Sequence, residues 1–228
     1  MSEMIVVTGA SKGLGRAICD RLISKGFAVF GLARNVGGIP FFSMGCDVSS
    51  YDDVKAVAQR LKKDGVKVDG LVNAAGIASM NLAVTTPPTV SQNIVHTNLL
   101  GTIYCCQQIA PLMLRNKTGS IINFSTIAVA LGLRGESIYA ASKAGVEGFT
   151  RAFAREMADF NINVNCIAPG PICTNLLNGI TSTQIGQIVS QQIIPKQFTP
   201  AAVSDLVEIL LDERSRSLSG QVLHVGGA

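Results

Sequence analysis

Tyr139 and Lys143 lie four residues apart, inside a run (138–159) whose apolar spacing predicts a helix. Positions i and i+4 share one helix face, so a phenol and an amine would stand side by side. A free phenol titrates near ~10, too high for easy proton exchange at neutral pH. An adjacent ammonium favours the phenolate and lowers that value, making the pair a candidate acid and base. Such a phenol can give its proton to a carbonyl oxygen while a hydride reaches the carbon. A second hydroxyl on the same oxygen would orient it, and Ser125, closing an apolar β-like run, is the candidate. The competing interpretation, a solvated helix pair, weakens beside the other motifs of the chain.

A hydride needs a carrier, and the N-terminal segment offers a seat for one. Thr8-Gly9-Ala10-Ser11-Lys12-Gly13-Leu14-Gly15 leaves a predicted strand (Met4–Thr8) and opens a predicted helix (13–25). Glycines there permit a tight turn and let the backbone approach a pyrophosphate. The helix N-terminus adds free N–H groups and a positive dipole end. Thr8, Gly9, Ser11, Lys12, Gly13, Leu14 and Gly15 are therefore candidate cofactor contacts. The residue after the second strand sorts the two nicotinamide dinucleotides. An acid would accept from the ribose 2′-OH, whereas an Arg accommodates a 2′-phosphate. That strand ends Leu32-Ala33-Arg34-Asn35, and between Gly15 and Asp47 the sole acid is Asp20, inside the first helix. Arg34 can present a bidentate fork to phosphate, with Lys12 as a second cation. NADP(H) is expected over NAD(H).

The elements that must position these groups alternate along the chain. Strands are expected at Met4–Thr8, 27–32, 41–45, Gly70–Asn73, 120–125, 163–168 and 221–225. Helices are expected at 13–25, Tyr51–Lys63, 90–115, 138–159 and 201–212, with one or two short ones within 175–194. This alternation predicts βαβ units and a parallel sheet of seven strands between helical layers, in one domain spanning 1–228. One connection is unusual. The stretch 35–40 is too short, and too rich in Gly and Pro, for the usual crossover helix between parallel strands.

Composition narrows the class. The 228 residues are 47% hydrophobic and 15% charged, which suits a large core. The net charge of +4 comes from scattered bases, not the clustered basic face of a nucleic-acid binder. The six cysteines form no C-x-x-C pair and the two histidines, His96 and His224, are far apart in sequence, so no metal is expected. Buried thiols in a reducing compartment are the expectation. No leader pattern opens the chain, and no apolar run approaches the ~20 residues of a membrane span. A cytoplasmic protein is expected.

The spacing T-G-x-x-x-G-x-G, followed by Tyr139-Ala140-Ala141-Ser142-Lys143, resembles the short-chain dehydrogenase/reductase family, and the resemblance runs along almost the whole chain. It implies a three-layer Rossmann fold and an NADPH-dependent carbonyl reductase. It implies adenine contacts from Asp47 and Val48, and cofactor contacts from the N-x-A-G segment at Asn73, Ala74 and Gly76. Pro169, Gly170, Ile172 and Thr174 would lie beside the nicotinamide. Lys143, next to Tyr139, would also bond the nicotinamide ribose, and Asn98 would relay protons through water. The blocks 135–156 and 164–174 look most like 3-oxoacyl-[acyl-carrier-protein] reductases. A 3-oxoacyl thioester is the first expected substrate, with a sugar, polyol or small ketone second and a non-catalytic dinucleotide sensor a remote third. The pocket is expected from Ile77, Ile127, Ala128, Leu131, Leu133 and the segment 172–177. No base follows Thr174 within Asn175-Leu176-Leu177-Asn178, so Arg115 and Lys117 are the candidates for gripping an acidic carrier protein. The family commonly packs the helices at 90–115 and 138–159 across a two-fold axis, so a homotetramer, or a dimer, is expected.

Overall fold

A computed structural model describes residues 3–174 and 180–228. Seven parallel strands form one sheet: β1 (Met4–Thr8), β2 (Ala28–Ala33), β3 (Ser43–Gly45), β4 (Gly70–Asn73), β5 (Gly119–Phe124), β6 (Ile162–Pro169) and β7 (Val222–Val225). Their order is β3-β2-β1-β4-β5-β6-β7. The central strands are buried and largely apolar because both faces are covered, with Ser120, Asn123, Asn163 and Asn165 as buried polar members. Alternate side chains serve opposite layers. Val6, Leu71, Ile121 and Val164 pack under α2 (Tyr51–Lys63), α4 (Gly101–Met113) and α6 (Ser137–Met157). Ile5, Val7, Val72, Ile122 and Ile167 pack under α1 (Gly13–Ser24) and α8 (Pro200–Leu211). The chain reverses its direction of travel across the sheet between β1 and β4. In such sheets a ligand crevice opens at that point, outside the carboxyl ends of the strands.

The short connection 34–42 joins β2 to β3, which nevertheless pair in parallel. Ile39 and Phe41 pack onto the α1 side of the core, where a crossover helix would otherwise sit. The Arg16 guanidinium caps the Phe41 ring at 5.6 Å. Gly31 makes the close approach possible, since a Cβ there would stand 2.8 Å from Phe41 Cε2.

The helix expected at 90–115 is not a single α-helix. It runs as α3 (Pro88–Val95), a π-helical turn at His96–Leu100, and α4, with Pro111 inside the last. One π turn changes the phase of the helix and commonly marks a functional position. Here it carries Asn98, which is fully buried. Two short helices complete the C-terminal ends of β5 and β6: α5 (Ile127–Leu131), which sequence periodicity did not suggest, and α7 (Ser182–Val189). Asn175 to Asn178 lie outside the described residues. Among the described residues no helix is long and apolar enough to cross a membrane.

Candidate active site

The glycine turn is built by space as much as by φ. Gly9 and Gly13 adopt φ of +71° and +58°, where side chains are strained. A Cβ at Gly15 would lie 2.3 Å from the Gly9 carbonyl oxygen, and one at Gly9 would lie 3.0 Å from Ala75. The Thr8 hydroxyl accepts from the Ala75 N–H at 3.0 Å and locks the turn to the segment after β4. Helix α1 starts at Gly13 with no acid in its first turn and no side-chain cap. This cradle fits the pyrophosphate of a dinucleotide. Ser11, Lys12 and Arg34 are exposed at its edge. Asp20 is taken by Arg16 at 2.8 Å, which leaves no acid for a ribose 2′-OH between Gly15 and Asp47.

Asp47 accepts from the N–H and the hydroxyl of Ser49, and Val48 is buried against Gly101. The Asn73 side chain turns away from the crevice into the core. It donates to Asn123 Oδ1 at 2.9 Å and ties β4 to β5, and Ala74–Gly76 continue the segment toward the crevice. Gly76 is the meeting point: a Cβ there would lie 3.3 Å from Asn98 Oδ1 and 3.5 Å from Lys143 Nζ. Asn98 exchanges two 2.9 Å bonds with the backbone of Ile77 and donates to Ser142 at 3.2 Å. On the far side, Gly13 faces Thr174; a Cβ at Gly13 would lie 3.8 Å from Thr174 Cβ. Pro169 ends β6, Gly170 and Ile172 follow it into that wall, and Ile172 bridges to Phe198.

Lys143 and Tyr139 share the inner face of α6, and both are buried. Lys143 Nζ donates to the Phe124 carbonyl at 2.8 Å, at the end of β5. Burial holds its pKa down to about 8. The Tyr139 phenol goes the other way from expectation. Burial pushes its pKa up, the nearby Glu136 charge pushes it further, and a hydrogen bond with the Thr126 side chain opposes both.

The hydroxyl expected beside the phenol is displaced by one residue. Ser125 Oγ donates to Glu147 Oε1 at 2.7 Å, on the α6 side of β5. Thr126, in extended backbone at φ −161°, points the opposite way and meets Tyr139. Sequence reasoning missed Thr126 and Glu147. The signal was strand parity: Asn123 and Ser125 share a face, and Asn123 is bound into the core at Thr150.

Ile127 and Ala128 are buried in α5, and Leu131, Leu133 and Ile77 are half-buried near the crevice. A cavity at the mouth is lined by Met80, Leu82, Leu133, Ile188, Gln187 and Gln191, with Arg134 exposed at its rim. Arg115 and Lys117, by contrast, fall between α4 and the first residue of β5. That is the amino edge of the sheet, a strand's length (~20 Å) from the crevice. That position does not fit the expected carrier-gripping role, since it lies away from the crevice.

Residues 3–185 match the family model for short chain dehydrogenase. The chain belongs to this family. It is an oxidoreductase of CH–OH and C=O groups that uses a nicotinamide dinucleotide. A 3-oxoacyl-[acyl-carrier-protein] reductase of Staphylococcus epidermidis is 32% identical, with 100% of this chain and 98% of that protein covered. Among solved structures, ElxO with NADP bound superposes with a TM-score of 0.90 at 28% identity, covering 99% of this chain and 97% of the other. The ligand-free aldohexose dehydrogenase of Thermoplasma acidophilum gives 0.89 at 28% identity, covering 99% and 93%. Both solved structures superpose on nearly the whole of this chain.

Proposed function

We propose that this short-chain dehydrogenase is an NADPH-dependent reductase of a 3-oxoacyl thioester, with Thr126, Tyr139 and Lys143 as its catalytic groups. The observation that carries it is the buried inner face of α6, where Tyr139 stands one helical turn from Lys143, whose ammonium reaches the Phe124 carbonyl at the end of β5 and lies beside Gly76 at the crevice above the glycine turn; the Thr126 side chain, which starts α5 there, acts on the phenol. When bound, the cofactor supplies the hydride. The protein's share is orientation and proton delivery. Thr126 directs its hydroxyl to the substrate oxygen, and Tyr139 delivers the proton to it. A phenol whose pKa is raised stays protonated, which suits an acid in the reducing direction. Lys143 holds the ribose and supplies positive charge beneath the phenol. Asn98, fixed to Ile77 in its π turn, holds the water path that replaces the proton.

NADPH over NADH is supported by Arg34 and Lys12, exposed cations with no ion pair among the described residues. Arg34→Glu should raise the Kd for NADPH by about a hundredfold and leave NADH nearly unchanged, because only the 2′-phosphate loses its partner. Fluorescence titration with both cofactors measures this; equal losses would remove Arg34 from phosphate recognition.

The acyl thioester is supported by likeness to named acyl-carrier reductases and by the apolar walls of Met80, Leu82, Leu133 and Ile188. Arg134 is the base at the mouth that suits an acidic carrier. Glu136, half-buried beside Tyr139, favours a second substrate class with hydroxyl donors, such as a sugar or polyol. A panel of acetoacetyl thioesters, ketoses and small ketones, run with both cofactors, tests the choice. Turnover restricted to sugars would replace the thioester assignment. A homotetramer built on the outward faces of α4 and α6, in the cytoplasm, completes the proposal.

The pH profile follows from Lys143. Its ammonium is intact below pH ~7 and is lost as pH rises through about 8, whereas the phenol titrates later. kcat/KM for reduction should therefore fall above pH about 8, and Lys143→Arg should move that limb upward. A flat profile from pH ~7 to ~10 would contradict the assignment.

A further inference from the structure

Glu147 is a buried carboxylate that the reaction itself does not use. It sits one turn beyond Lys143 on the inner face of α6. Its Oε1 accepts a hydrogen bond from the Ser125 hydroxyl at 2.7 Å and its Oε2 accepts one from Arg151 Nη2 at 3.3 Å. Its side chain is only 10% exposed. A hydroxyl has one proton, so Ser125 cannot also donate toward the crevice. The Ser125 N–H is fixed as well, to the Ile167 carbonyl of β6 at 2.8 Å. The next residue is in extended backbone, where consecutive side chains point to opposite faces. Holding Ser125 toward α6 therefore holds Thr126 toward Tyr139. Thr126 Oγ1 also accepts from the Ala128 N–H at 3.3 Å and starts α5, so the tie extends into the pocket wall.

We infer that Glu147 is a positioning residue: by binding Ser125 behind β5 it commits Thr126, and not its neighbour, to the substrate oxygen. This role rests on the Thr126 assignment made above. Misplacing a reacting group by about an ångström costs up to a hundredfold in rate. Glu147→Ala should lower kcat by about ten- to a hundredfold with the cofactor Kd unchanged. Glu147→Gln keeps an acceptor for Ser125 and should retain kcat within about threefold. Ser125→Ala cuts the same bond from the other end. It should copy Glu147→Ala, and the double variant should be no worse than either single. In a Thr126→Ala background, adding Glu147→Ala should cost nothing more in kcat, because the group being positioned is gone.

The inference is overturned if Glu147→Ala keeps wild-type kcat per cofactor-binding site, or if its loss adds in full to that of Thr126→Ala. Should Glu147→Ala fail to fold, Ser125→Ala carries the same two tests. Amide hydrogen exchange supplies a readout independent of turnover: Glu147→Ala should speed exchange at Ser125 and Ala128, and Glu147→Gln should not. If the wild-type enzyme reduces no carbonyl in the panel, the proposed function falls. Exchange at those two amides then decides the Glu147 role alone, and unchanged exchange would end it.

Discussion

Tyr139→Phe is expected to lower kcat by about a thousandfold or more while leaving the Kd for NADPH within about twofold. The substitution removes one oxygen and keeps the ring, so the packing of a side chain that is 8% exposed survives. What disappears is the proton donor. Burial and Glu136 hold that proton on the phenol at neutral pH, and Glu147, on the same face of α6, does not replace it because it is bound to Ser125 and Arg151. Lys143 does not, since its ammonium is bound to the Phe124 carbonyl. Stopped-flow measurement of a single NADPH turnover separates this loss from slow product release. A variant with near-normal single-turnover rate would take Tyr139 out of the chemistry.

Thr126→Ala is expected to cost about a hundredfold or more in kcat, the size of loss seen when one donor to a developing oxyanion is removed. Thr126→Ser should stay within about threefold, because it keeps the hydroxyl. Ser125→Ala should cost less than Thr126→Ala, about tenfold, since it removes a positioning bond and not the donor itself. The ordering of the two alanine variants is the discriminating result. If Ser125→Ala proved the more damaging in kcat, the hydroxyl on the substrate oxygen would be Ser125, and its bond to Glu147 would have to break during turnover. The comparison should be made at saturating NADPH and per folded protein, as Thr126 also caps α5 and its loss will lower stability by about 1 kcal/mol.

The two results bear on selectivity too. The cleft brings together an acid that keeps its proton, a lysine whose charge fades near pH 8, and a half-buried carboxylate in Glu136. A substrate carrying its own negative charge near the carbonyl would meet Glu136 unfavourably. A thioester or a hydroxylated carbonyl compound would not.

Much of this was legible in the residues themselves. The alternation of β-branched runs with amphipathic helices implied the layered parallel sheet, because strands buried on both faces must read as apolar. The glycine spacing marked the phosphate seat, because Gly15 has no room for a Cβ. The four-residue interval of Tyr139 and Lys143 put them on a shared face, because helix periodicity is local. Arg34 at the end of β2 was likewise read from position alone.

Other features were set by neighbours distant in sequence and emerged only in the folded chain. Whether Ser125 or Thr126 enters the crevice depends on Glu147, a helix away, taking one of the two hydroxyls. The inward turn of Asn98 depends on a π turn held by Ile77, and no periodicity announces it. Arg115 and Lys117 looked usable until the start of β5 placed them at the wrong edge of the sheet. The phenol's pKa rose where a neighbouring amine suggested a fall, because desolvation is a property of the folded interior. Local periodicity and steric need are written in adjacent residues. Hydrogen-bond partners and burial arise only when separate elements are brought together.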